Sequence, residues 1–220
     1  MKKNCFAFLL ALLLPVLAFA GAYEDLEGAL VRSDSGAVID LIKRGIDINT
    51  VDRQGSSLVT QSVQRDLPEL FDYLLQRRAR VNTRNRNGET ALSIAAYLGR
   101  AKYVQRLVEA GAEINFFGWP PLSYAAYNGH TEIVEYLIKR GAEVDGKTEN
   151  GSTALFFAAR FGHLGTVKTL LAHEADPTIV NDNDETAVDW AVKGRHTDIE
   201  DILRQAGGRF GKSVTIELSK

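Results

Sequence analysis

Between Pro120 and Asp145 the apolar positions fall into two short helical sets separated by a polar break. Leu122, Ala125 and Ala126 share one face at helical spacing. Pro120 and Pro121 suit the opening turn, where a missing N–H costs nothing. Asn128, Gly129 and His130 interrupt the run. Ile133, Val134, Leu137 and Ile138 then recur at the same spacing, which predicts a second helix. Thr131 is its expected N-cap, with Glu132 near the positive end. Lys139 and Arg140 suit its C-terminus, and Gly141 can end it in a left-handed conformation without a Cβ clash. Two helices this short cannot bury both their faces alone. They need copies of themselves on either side.

The chain supplies those copies. Gly129 and Gly162 stand 33 residues apart, as do His130 and His163, then His163 and His196. Leu122 and Leu155 keep the step, as do Leu170 and Leu203, and Gly55 and Gly88. From Leu92 to Leu122 the step is only 30, so one junction has lost three residues. Six units follow one another: Tyr23 to Ile48, Asn49 to Val81, Asn82 to Ile114, Asn115 to Val144, Asp145 to Pro177 and Thr178 to Gly208. The first and last are expected to act as caps, because a stacked array needs polar outer faces.

A period of 33 with helix-turn-helix content resembles the ankyrin repeat and its T-P-L-H-x-A word. The matching words are Thr90-Ala91-Leu92-Ser93, Pro120-Pro121-Leu122-Ser123 and Thr153-Ala154-Leu155-Phe156, each followed by an Ala pair. The Gly-Ala-x-x-Asn/Asp exit appears from Gly111 to Asn115 and from Gly141 to Asp145. The resemblance covers about residues 23 to 208 and implies an all-α solenoid of about six helix-turn-helix repeats with short hairpin fingers. It also implies a concave face that binds protein. The departures matter. Thr60, Ser93, Ser123, Phe156 and Asp189 hold the His slot of the word, so the hydrogen bonds that His makes are found elsewhere or lost. Arg78 and Glu174 stand where Gly111 and Gly141 end their helices. Ser62-Val63 replaces an Ala pair, so the second repeat is expected to pack less regularly, and the N-terminal repeats to open more readily.

The two ends differ from the array. Lys2 and Lys3, the apolar run Phe6 to Leu14, Pro15 and the Ala18-Phe19-Ala20 word read as a signal peptide over 1–20, cut after Ala20, with Ala20-Gly21-Ala22 allowing a cut two residues later. The run is short for a membrane span. A bacterial periplasmic or secreted location is expected. The sole cysteine, Cys5, lies ahead of the apolar run, so the processed chain can form no disulfide. Residues 209–220 form a tail in which Val214, Ile216 and Leu218 alternate with polar residues, as in a strand. Packing on the last repeat or disorder is favoured there over pairing with a partner's sheet edge.

Charge and motifs narrow the function. The chain holds 26 basic and 28 acidic residues, and loss of the leader lysines leaves it more acidic. Nucleic acid, which needs a basic footprint, is therefore not the expected partner. There is no P-loop, G-x-G-x-x-G or G-x-S-x-G. His130, His163 and His196 sit one repeat apart, roughly 8–10 Å, too far to share one metal. The Asn181-Asp182-Asn183-Asp184 turn lacks the sixth-position Gly and the closing Glu of a calcium loop. No catalytic residue, cofactor or metal is expected, and a monomer is.

The expected function is an exported protein-interaction module acting as a scaffold, assembly factor or inhibitor, an immunity protein among these. An enzyme or small-ligand binder using the groove is the alternative. Aromatics and Arg dominate binding hot spots. The expected partner-binding residues are Phe117, Trp119, Tyr97, Tyr127, Arg160 and Phe161, gathered at the shortened finger Phe116-Phe117-Gly118-Trp119. Phe116 and Phe117 stand equally well as core plugs filling the gap left by the missing residues. Export predicts that intact-mass analysis of the native protein finds a chain beginning at Gly21 or close to it; a full-length chain in the cytosol would refute the leader.

Overall fold

The computed structural model describes residues 21–212. The leader and the strand-patterned end of the tail lie outside the described residues. Helix α1 runs through residues 21–31. After it come α2 (Ser35–Lys43), α3 (Leu58–Gln64), α4 (Pro68–Gln76), α5 (Ala91–Tyr97), α6 (Ala101–Glu109) and α7 (Pro121–Tyr127). The series ends with α8 (Thr131–Lys139), α9 (Ala154–Arg160), α10 (Leu164–Ala172), α11 (Ala187–Gly194) and α12 (Thr197–Gln205). The described residues thus form an all-α array of six helix pairs. Its first helices α3, α5, α7, α9 and α11 stack in chain order. Its second helices form a row behind them, and one continuous core runs between the rows.

The local reasons repeat from unit to unit. Ser57, Thr90 and Thr186 cap α3, α5 and α11 by accepting the backbone N–H three residues on. The His slot closes two of these caps: Ser93 and Asp189 side chains accept from the N-cap backbone. At α7 the N-cap is Pro120, which has no N–H to give, and the buried Ser123 hydroxyl is left without a partner. At α9 the slot holds Phe156, and the Thr153 hydroxyl is left likewise. The lost histidine is thus replaced in some repeats and simply forfeited in others.

Contacts between repeats rest on a second histidine. His130, His163 and His196 are the N-caps of α8, α10 and α12. Their rings lie over Gly99, Gly129 and Gly162 of the preceding repeat, where an added Cβ would sit 2.4–2.5 Å from a ring atom. His130 Nε2 bonds the Tyr97 carbonyl at 3.0 Å and His163 Nε2 the Tyr127 carbonyl at 2.9 Å. This corrects the expected cap: Thr131 lies inside α8, because His130 takes the capping position to reach its glycine. The Thr131 hydroxyl meets Thr166 of the next repeat at 2.8 Å instead.

At the helix exits a ladder of amides links the units. Asn82 accepts from Glu113 N–H and donates to the Gly111 carbonyl, and Asn115 does the same with Glu143 and Gly141. Asp145 holds the equivalent place and accepts from Asp176 N–H, but a carboxylate cannot donate onward. Burial, with Asp176 nearby, pushes its pKa up. The last turn is covered by the start of the tail: Thr186 donates to the Arg209 carbonyl, Gly211 N–H donates to Asp189, and Phe210 packs against the core.

The structure also bears on stability. Arg78 and Glu174 are left-handed, at φ 56° and 64°, as their place in the glycine slot implied. Ser62 and Val63 do not loosen the second repeat: both are fully buried, and the Ser62 hydroxyl bonds the Val59 carbonyl at 2.7 Å. The strain in the first two repeats sits instead in Ser33, Asp66 and Arg78, all at positive φ.

Two stability predictions follow from these positions. Arg78→Gly removes a left-handed cost of ~1–2 kcal/mol and adds ~0.5–1 kcal/mol of chain entropy, so denaturant unfolding should show a net gain of at most about 1.5 kcal/mol. Asp145 has a folded pKa above its unfolded value. Its contribution is therefore present below the unfolded pKa and lost as pH rises through the folded one, a net cost at neutral pH. Asp145→Asn removes that cost and restores a donor. It should stabilise by about 0.5–1.5 kcal/mol at pH 7 and by less at pH 3, read from melts at both pH values.

Candidate functional site

The concave face is built from two sets of residues that each repeat places alike. One is the fingers that precede α3, α5, α7, α9 and α11; the other is the groove side of those helices. Four fingers are closed by one side chain that accepts the amides of its own loop. Asp52 takes Gln54 and Ser56 N–H, Asn85 takes Asn87 and Glu89, and Asn181 takes Asn183 and Glu185. In the fifth repeat Asn150 takes the Ser152 N–H. Neighbouring fingers are tied by Arg86 N–H to the Gln54 carbonyl and Asp182 N–H to the Asn150 carbonyl. The short finger between them makes no such backbone bond to either side among the described residues. Three missing residues therefore divide the finger row into two tied pairs with a gap at α7.

Trp119 lies on the groove side of that gap. Its ring centroid lies 4.7 Å from Phe157, 5.3 Å from Tyr124 and 6.4 Å from Tyr127. Tyr127 stands 4.3 Å from Phe161 and 6.2 Å from Tyr97. Tyr97 and Phe161 remain 38% and 43% exposed, so their faces are open to a partner. Of the residues expected at the site, these four rings come together. Phe117 does not join them. Gly118 is left-handed at φ 108° and turns Phe117 and Trp119 to different surroundings. Phe117 is 82% exposed and touches none of these rings, which also overturns its reading as a core plug. Phe116 is half-buried under the Arg84 guanidinium, 4.1 Å from its ring centroid. Both phenylalanines wall a surface notch of about 270 Å³ with Asn115, Pro120, Glu143 and Lys147.

Tyr124, Phe157 and Trp190 were missed by sequence reasoning, and they turn a patch into a stripe. Tyr97 meets Tyr124 at 5.9 Å, Trp119 bridges Tyr124 to Phe157, and Phe157 meets Trp190 at 5.5 Å. All three occupy one slot, the residue just before the Ala pair or, in the last repeat, Ala191-Val192: Tyr124 before Ala125, Phe157 before Ala158, Trp190 before Ala191. Reading that slot as a column, rather than the two residues after the pair, would have found them.

Carboxylates border the stripe. Trp190 Nε1 donates to Glu185 at 2.7 Å, and Lys193 pairs with the same carboxylate. Burial pushes the Glu185 pKa up, but the bonds from Lys193, Trp190 and Asn181 outweigh it and hold the carboxyl below its usual value. Tyr124 O–H reaches Glu89 at 3.4 Å, and burial together with Glu89 and Glu149 pushes the phenol up to about 12. Arg160 is half-buried at the C-terminus of α9, with Nη1 buried and without a hydrogen-bond partner. No group of three metal-ligating side chains converges among the described residues. No helix among them is long and apolar enough to cross a membrane.

Stacked helix pairs with finger loops and a side-chain-lined concave face define a helical-repeat solenoid, a class that works by presenting an extended surface. A family model described as ankyrin repeats (3 copies) matches residues 29–117, 59–148 and 122–213. The chain belongs to the ankyrin-repeat family, whose repeats are protein–protein interaction modules. It is 31% identical over 149 residues to neurogenic locus notch homolog protein 1 of Homo sapiens and of Mus musculus, across 66% of this chain. It is 31% identical over 127 residues to neurogenic locus notch homolog protein 2 of Homo sapiens, across 56% of this chain. The matches span only 6% and 5% of those relatives.

Proposed function

We propose that this chain is an exported, non-enzymatic module that holds a protein partner in its concave groove, as a scaffold, assembly factor or inhibitor. The observation that carries the reading is the run of ring contacts from Tyr97 to Trp190 beside the interrupted finger row: Phe157 beneath it is buried, Trp119, Tyr124, Tyr127 and Trp190 are half-buried, and Tyr97 and Phe161 are exposed. A gap in the fingers admits a protruding element to the helices. Rigid rings then bury large area at low entropic cost. The leader-like residues 1–20 support export, to the periplasm or beyond, and an acidic balance supports a protein rather than a nucleic acid as partner.

The test is affinity capture from the native periplasm with three baits: wild type, Phe161→Ala and Trp119→Ala. Hot-spot truncation costs ≥ ~2 kcal/mol, about thirtyfold in affinity, so a genuine partner should be held by wild type and lost by both variants. Phe161→Ala is the cleaner variant, because its exposed ring can be removed with little change in the thermal midpoint. Trp119 leans on Tyr124 and Phe157, so its truncation should lower the midpoint as well. A partner retained equally by both folded variants would place the site elsewhere.

A further inference from the structure

The middle of the stripe has a chemistry of its own. Glu89 is satisfied by neutral donors alone: Asn85 Nδ2 at 2.7 Å, Asn87 Nδ2 at 3.5 Å and Tyr124 O–H at 3.4 Å. Glu149, on the finger across the gap, makes no hydrogen bond or ion pair among the described residues. Its Oε1 lies 3.8 Å from where a Cβ on Gly118 would sit, beside the short finger. Glu89 holds the Tyr124 hydroxyl and Glu149 stands beside Gly118, the neighbour of Trp119, whose ring lies 5.3 Å from Tyr124, so both belong to one neighbourhood. Trp119 and Tyr124 are in ring contact there, with Tyr97 against Tyr124 and Tyr127 against Trp119. Glu185, by contrast, already has Lys193 as its cation.

Aromatic faces attract a cation through their quadrupole, and carboxylates without a counter-charge attract it further. We propose that this central subsite, Trp119 and Tyr124 flanked by Glu89 and Glu149, takes one basic side chain, lysine or arginine, from an extended segment of the protein partner. The inference rests on the groove reading above and adds the chemistry of the partner. Charge elsewhere fixes how many cations fit. Arg65 and Arg86 stand exposed toward the N-terminal end of the concave face, where Arg53 is already paired with Glu27 at 3.9 Å. They disfavour a polybasic run and leave room for a single cation at the gap.

The test is selection of groove-binding peptides from a random displayed library against the purified protein. Binding of each selected peptide is then measured to wild type, Trp119→Ala, Phe161→Ala and the double variant Glu89→Gln/Glu149→Gln. The expected peptides need both rings and carry one basic residue. Replacing that residue by norleucine should weaken binding to wild type about fivefold to thirtyfold. The same replacement should cost less than about twofold in the double glutamine variant, which keeps the shape and removes the charge. Peptides that need the rings but show no basic preference, or whose norleucine penalty survives in the glutamine variant, overturn the subsite and leave the groove reading standing. Peptides indifferent to Trp119 and Phe161, or failure to select any that depend on them, count against the groove and the subsite together.

Discussion

No helix pair in this chain can bury its own apolar face, and that single constraint organises the whole structure. The helices are seven to nine residues long in every repeat whose ends are described. At that length isolated helices are marginal, and tertiary burial must supply the stability. Leu92, Leu122 and Leu155 are buried between one unit and the next, as are Val104, Val134 and Val167 behind them. The histidine-on-glycine contact sets how closely the units approach. A ring from one repeat occupies the space that a Cβ would need in the one before, and its nitrogen bonds a carbonyl there. A methyl at Gly129 would meet His163 at 2.4 Å on a backbone that already disfavours it.

The third repeat shows what the contact does by replacing it. Arg100 stands in the histidine slot, bonding the Val63 carbonyl and pairing with Asp66 at 3.3 Å. Asp66 also accepts from Tyr103 at 2.8 Å, and burial plus Asp66 push that phenol well above its usual pKa. Tyr103 in turn meets Phe71 at 4.7 Å. The junction between second and third repeats is thus held by a mixed polar and aromatic set, where the next two each seat a histidine ring on a glycine and bond it to a carbonyl. Much of this set is partly exposed, and partly exposed ion pairs contribute little. Its value is in fixing geometry.

The loss of three residues before α7 has consequences on two faces. It removes the amide-accepting side chain that closes the other fingers and breaks their row into pairs. In the same repeat Pro120 replaces the capping Thr, which sacrifices the bond that Ser93 and Asp189 make in their own repeats. The fourth repeat gives up local hydrogen bonding, and in return the groove opens at the point where the aromatic rings are densest. A departure from the repeat that lowers local satisfaction but clusters exposed rings is the pattern expected of a surface under functional rather than structural demand.

The repeat, its period, the helix pairs, the odd junction and the two non-glycine residues at helix-ending glycine slots, Arg78 and Glu174, were legible in the sequence, whereas the left-handed Ser33, Asp66, Asp184 and Arg195 were not. The legible features depend on spacing along the chain, and spacing is what a sequence records. It also determined four of the rings at the site, because their types and places stood out beside the odd junction. Tertiary structure alone decided the rest. Phe117 and Trp119 are two residues apart, yet only Trp119 reaches the stripe, because a left-handed Gly118 turns the chain between them. Tyr124, Phe157 and Trp190 are 33 residues apart, yet Trp119 and an edge-on contact of Phe157 with Trp190 join them into one run of rings. Whether Glu149 has a counter-ion was likewise a matter of which fingers approach across the gap. Ring contacts and charge pairs act over a few ångströms between repeats, and those distances are set by how the units stack.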